Sequence, residues 1–162
     1  MAIDLRPARP GEAATLSELA LRSKAHWGYD EEFLQRCRVV LTLRDDELEP
    51  RRTVVAEEDG RIVGYYTLDE SEHNGESELG NLWIDPRHLR RGVGRLLWEH
   101  AIETARRLGL TSLLVTADPH AEGFYRAMGA TRVGRVPSEI APGRLLPQLR
   151  VTISAQGEHP GP

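Results

Sequence analysis

Leu82-Trp83-Ile84-Asp85-Pro86-Arg87-His88-Leu89-Arg90-Arg91-Gly92-Val93-Gly94-Arg95-Leu96-Leu97 is the stretch from which the rest of the chain can be read. Its apolar opening has to stop as a strand at Asp85-Pro86, because proline has no N–H for a ladder. A basic turn with two glycines follows. From Val93 onward Leu96, Leu97, Ala101, Ala105 and Leu108 recur at intervals of three and four up to Gly109, the spacing of an amphipathic helix. Strand, glycine turn and helix start in that order make an anion site. The first N–H groups of a helix lack internal partners and carry the positive end of its dipole, so they can wrap a pyrophosphate while Gly92 and Gly94 let the backbone come close. Arg87, Arg90, Arg91 and Arg95 concentrate positive charge in a chain whose formal net charge is -4. A helix start with solvated arginines is the alternative.

Upstream of this stretch the apolar parity slips between Leu79 and Leu82, across Gly80-Asn81, which predicts a β-bulge. Before it, Val54 to Ala56 and Ile62 to Leu68 flank Glu58-Asp59-Gly60 as a hairpin, and Asp69 to Glu76 reads as a polar loop. Ile3 and Leu5 mark a short first strand. Two helices follow it, one carrying Ala13, Leu16, Leu19 and Ala20, the other running from an N-capping Asp30 to Leu41. Trp27-Gly28-Tyr29 breaks the chain between them. Downstream, Ser112 to Ala117 reads as a buried strand, and Asp118-Pro119 caps a helix ending near Met128-Gly129. Thr131 to Val136 and Leu145 to Ile153 are the last two strands. This order predicts one α/β (α+β) domain over residues 1–153, with a mixed, mostly antiparallel sheet of about seven strands, and a disordered tail at 154–162.

At 162 residues the chain has room for one full core and not for two. Hydrophobic residues at 40% and charged residues at 28% place it among globular proteins rather than disordered ones. No run approaches the ~20 apolar residues of a membrane span. A pI of about 5.9 offers no global attraction to phosphate backbones, so a nucleic-acid module would rest on the Arg87 to Arg95 cluster alone and is not expected. The single cysteine, Cys37, cannot form an internal disulfide, and Met1 to Asp4 carry no basic or apolar leader, so a cytoplasmic location is expected.

Two familiar phosphate motifs fail, since no Gly-x-x-x-x-Gly-Lys-Ser/Thr occurs and Leu97 stands where a dinucleotide fingerprint needs its third glycine. His120-Ala121-Glu122 is like the His-x-Glu of zinc deaminases, but a Pro-Cys-x-x-Cys is absent and no metal is expected. Leu89-Arg90-Arg91-Gly92-Val93-Gly94, followed by Asp118-Pro119-His120-Ala121-Glu122-Gly123-Phe124-Tyr125 and Met128-Gly129-Ala130, resembles the GNAT superfamily of acyl-CoA N-acyltransferases from Ile3 to Val151. His26-Trp27-Gly28-Tyr29, Pro137-Ser138 and Gly143-Arg144-Leu145-Leu146-Pro147 resemble segments of one bacterial branch. Leu89 departs from the usual Arg or Gln, Asp118 from Asn, and Ala130 from Phe.

The resemblance implies acetyl-CoA in a cleft between two splayed parallel strands, its pantetheine arm paired to backbone at Leu82, Trp83 and Ile84 and its diphosphate on Arg90 to Arg95. Asp118 and Phe124 would border the cofactor. The implied activity is acetyl transfer to the amine of a small molecule or peptide, with homodimer formation left open. Tyr125, protonated at neutral pH, is the candidate acid for the departing thiolate, with core packing as its alternative. Glu78, just before the bulge, is the candidate base, with a solvated strand residue as its alternative. His26, Trp27 and Tyr29 form an aromatic cluster at a helix break and are the candidate acceptor pocket; for Trp27, core packing competes. A second function, a GNAT domain that senses acyl-CoA or a metabolite without turnover, rests on Leu89 and Asp118.

Overall fold

The computed structural model describes residues 2–70 and 76–154. The expected 71–75 part of the polar loop, and all of the expected tail except Ser154, lie outside the described residues. Strands β1 (Asp4–Pro7), β2 (Val54–Glu58), β3 (Arg61–Asp69), β4 (Ser77–Ile84), β5 (Ser112–Thr116), β6 (Thr131–Pro137) and β7 (Leu145–Thr152) form one sheet in the order β1-β2-β3-β4-β5-β7-β6. Every neighbouring pair is antiparallel except β4 and β5. The mixed, mostly antiparallel sheet of the sequence reading is therefore the fold observed.

Four helices cover the sheet. On one face α3 (Val93–Arg107) buries Val93, Leu97, Trp98, Ala101 and Ala105, and the short α4 (Glu122–Ala127) adds Tyr125; of the stripe read from the sequence Leu97, Ala101 and Ala105 are buried, whereas Leu96 and Leu108 are exposed and Trp98 joins the buried face. On the other face α1 (Ala13–Ala25) presses Leu16, Leu19 and Ala20 against Val55 and Tyr65. Helix α2 (Glu31–Leu41) buries only Cys37, and the Asp30 side chain accepts the Phe33 N–H at 2.8 Å as its cap. Two cores, one per face, hold the sheet from both sides.

The bulge lies where the sequence parity slips. Thr67 pairs with Asn81 but Leu68 pairs with Leu79, so Gly80 is the extra residue on β4. Loss of alternation in the sequence and loss of register in the sheet are one event, and it sits at the point where β4 leaves β5.

Candidate active site

β4 and β5 pair only at Ser77 with Leu113 and Glu78 with Leu114. Beyond that point β4 stays on β3 as far as Ile84, and β5 stays on β7 as far as Thr116. The two strands part because each follows its antiparallel partner, which leaves one edge of Leu82-Trp83-Ile84 without a strand. An unpaired edge is a row of open N–H and C=O groups that an amide-bearing chain can join. These three residues form one wall of a cleft of about 750 Å³.

At the mouth of the cleft the turn before α3 places Gly92 at φ +84°, a conformation that favours glycine, and gives α3 no side-chain cap. The helix start is thus left with donors for an outside acceptor. Leu89, Arg90, Gly92, Gly94 and Arg95 line the cleft. Arg91 does not; it leans on Glu58 at 3.6 Å, as Arg87 does on Asp85 at 3.4 Å. Arg87 and Arg91 are thus paired with buried carboxylates, while Arg90 and Arg95 line the cleft. Val93 buries its side chain in the core, so only its main chain can serve a ligand. A Cβ on Gly94 would stand 3.3 Å from the Phe124 ring, so this glycine also lets α4 approach the turn.

Phe124 and Tyr125 form the opposite wall. The Tyr125 ring packs 5.7 Å from Trp98 and 5.3 Å from Phe124. Burial, with the Asp118 charge adding to it, pushes the phenol well above its ordinary range. Tyr125 is therefore a core residue that also lines the cleft, with its phenol protonated. Glu78 is not in the cleft wall. It is half-buried at the last paired position of β4 and β5, and burial raises its carboxyl. The Thr116 hydroxyl lowers it, Asp69 raises it, Arg51 lowers it and Glu139 raises it, with a net upward shift. A half-buried carboxyl with a raised pKa differs from the solvated residue that was its alternative.

His26 and Trp27 reach the cleft from the α1–α2 break, and Trp27, 40% exposed, is not in the core. Its ring stacks on His120 with centroids 4.8 Å apart and planes 6° apart. Tyr29 stands behind that stack, where its hydroxyl donates to Asp118 at 2.9 Å. Asp118 lines the cleft, yet its carboxylate is taken up by protein groups: Lys24 at 2.5 Å, Tyr29, and the His120 N–H and ring nitrogen, each at 2.8 Å. Burial works against this charge, but the Lys24 hydrogen bond and charge overcome it and hold the carboxyl at about 2.

Residues 16–130 match the acetyltransferase (GNAT) family. The chain belongs to the GNAT family. Its fold is shared with a GCN5-related N-acetyltransferase from Rhodopseudomonas palustris, 21% identical over 94% of this chain and 98% of that one, with a TM-score of 0.78. PaiA N-acetyltransferase from Thermoplasma acidophilum, in complex with coenzyme A, is similar at 18% identity, 94% and 99% coverage and a TM-score of 0.74. YncA from Salmonella typhimurium, with its cofactor acetyl-CoA, is similar at 21% identity, 100% and 98% coverage and a TM-score of 0.69.

Within this GNAT domain the residues to which the sequence reading gave no site role are Lys24, His120 and Arg144. Lys24 continues the buried α1 stripe of Leu16 and Ala20 at intervals of four, and a lysine in an apolar stripe signals a buried charge pair. Arg144 belongs to the quoted Gly143-to-Pro147 segment but carried no role there. Among the described residues no group of three or more His, Cys, Asp or Glu stands ready to hold a metal ion, and no helix is long and apolar enough to cross a membrane.

Proposed function

We propose that this chain is an N-acetyltransferase that takes the acetyl group of acetyl-CoA and gives it to the amine of a small molecule or peptide by direct attack. The observation that carries the reading is that the unpaired edge of Leu82 to Ile84, the uncapped start of α3 and Tyr125 border one cleft. A long, thin cosubstrate with a diphosphate at one end, amides in the middle and a thioester at the other would use all three features. The coenzyme complexes of the Thermoplasma and Salmonella proteins support the same reading.

When bound, the thioester supplies an activated acyl carbon and a thiolate leaving group. The chain's own residues handle position and protons. Arg90, Arg95 and the first N–H groups of α3 hold the anionic end. The Leu82–Ile84 backbone fixes the arm in extended form, as a missing strand would lie. The Tyr125 hydroxyl donates its proton to the departing sulfur, and burial keeps that proton in place across the physiological range. Glu78, set back from the cleft wall, takes the amine proton through water, and its raised pKa brings it closer to the working pH of a general base.

The test is thiol release from acetyl-CoA over a panel of amines, run beside calorimetry of coenzyme A binding. Turnover with at least one amine is expected. Tight coenzyme binding with no turnover on any amine would overturn the reading in favour of the acyl-CoA sensor.

A further inference from the structure

The cluster of Lys24, Tyr29, Asp118 and Arg144 takes no part in the chemistry above, yet it stands behind the cleft wall that holds Asp118 and His120. We propose that it makes an anion site for the acceptor, whose amine is therefore carried on a molecule with a carboxylate, of the amino-acid class. This inference rests on the acetyltransferase reading.

The first observation is a charge count. Among the described residues the ion-pair partner of Lys24, at 2.5 Å, and of Arg144, at 3.8 Å, is the same carboxylate, Asp118. Two cations share one anion where the Lys24, Asp118 and Arg144 side chains are 7%, 6% and 20% exposed, so one positive charge is left over in a place only partly open to water. The second is an orphaned donor. Arg144 gives Nη2 to the Tyr29 hydroxyl at 2.8 Å, while its Nη1 is buried with no partner. A guanidinium with one arm anchored and one arm free is suited to a carboxylate oxygen. The third is rigidity. Arg144 lies over the Tyr29 and Phe33 rings at 5.3 and 5.0 Å, and Lys24 over Tyr29 at 5.1 Å, so both cations are held in place without a ligand.

Position supplies the remaining step. Arg144 ends the β6–β7 loop, which the Ser138 N–H closes on the Arg144 carbonyl at 2.8 Å. The loop thus sets the Arg144 guanidinium 3.8 Å from Asp118, which lines the cleft.

The wild-type protein is tested first by thiol release with matched acceptors: an amino acid, its carboxamide, and the amine left after decarboxylation. The acid is expected to exceed both neutral analogues in kcat/KM by ~10–100-fold, the range of a charge-assisted hydrogen bond. Arg144→Met should erase that advantage by raising the KM of the acid far more than that of either neutral analogue, and Arg144→Lys should restore part of it. A merely structural arginine would lower all three acceptors together. Equal or better turnover of the neutral amines by the wild type would overturn the proposal. If no amine is acetylated, N-acetyl amino acids and their amides are titrated in the presence of coenzyme A. Carboxylate-dependent binding lost in Arg144→Met supports the anion site even as the acetyltransferase reading fails, and binding without that dependence, or none, overturns both.

Discussion

Replacing Tyr125 by phenylalanine separates packing from chemistry, because the two roles of this side chain sit on different atoms. The ring is buried among Trp98, Phe124 and the α3 core, and phenylalanine keeps those contacts. Stability should therefore change by less than about 1 kcal/mol. The hydroxyl at the cleft is the proposed acid, and removing a positioned proton donor typically costs ~10²–10⁴-fold in rate, or about 3–5 kcal/mol of barrier. The expected result is a kcat lower by that factor with the coenzyme dissociation constant within roughly twofold, the pattern of an interaction made only in the transition state. The pH profile adds a second reading. Burial raises the phenol above its ordinary value of about 10, so the wild type should show no alkaline loss from this group below that pH. Thiol release gives the rates, single-turnover measurement shows that chemistry limits them, and calorimetry gives the affinity. Wild-type turnover by Tyr125→Phe with chemistry limiting would refute the assignment, return Tyr125 to packing and make solvent the donor.

Other substitutions probe separate parts of the site. Gly94→Val would push a side chain against Phe124, at 3.3 Å from the first added carbon, and overpacking of about 1–3 kcal/mol should weaken coenzyme binding roughly 5- to 150-fold while kcat at saturating coenzyme changes less. Glu78→Gln should lower kcat by ~10²-fold and yet raise the melting temperature at neutral pH, since a carboxyl with a raised pKa favours the fold when protonated and opposes it as pH rises through that pKa. Asp118 has the opposite sign: held at about 2 against an ordinary 3.8, it contributes about 2 kcal/mol that is present above roughly pH 5 and lost as pH falls toward 2, so Asp118→Asn should remove that acid-side slope in denaturant titrations and cost at least as much at pH 7.

The elements were legible because their physics is local. The span of α3, the proline that ends β4, the capping Asp30 and the parity slip at Gly80 each needed only neighbours in sequence, and each stands where it was read. The glycine turn was legible for the same reason, since φ +84° at Gly92 and an uncapped helix start are properties of a few consecutive residues. What sequence could not reveal was which of the four arginines would face the cleft. Arg91 and Arg87 are instead taken by the buried carboxylates of Glu58 and Asp85, and the Arg91 choice depends on a strand more than thirty residues away in sequence.

The same limit explains Asp118. Judged by the family pattern, an acid in place of asparagine looks like a damaged cofactor contact and an argument for a domain without turnover. Folding brings it Lys24 from α1, Tyr29 from the α1–α2 break and Arg144 from the β6–β7 loop, three segments separated by 94, 89 and 26 positions. With two cations converging on that point, a neutral asparagine would leave both without an anion, and a buried cation without a counter-charge costs several kcal/mol. The departure at 118 is thus matched by basic residues at 24 and 144, so it reads as part of a charge arrangement on the acceptor side rather than as decay of the coenzyme side. That moves the weight of Asp118 away from the sensor reading, and leaves Leu89, whose turn offers backbone N–H groups whatever side chain it carries, as the weaker half of that case.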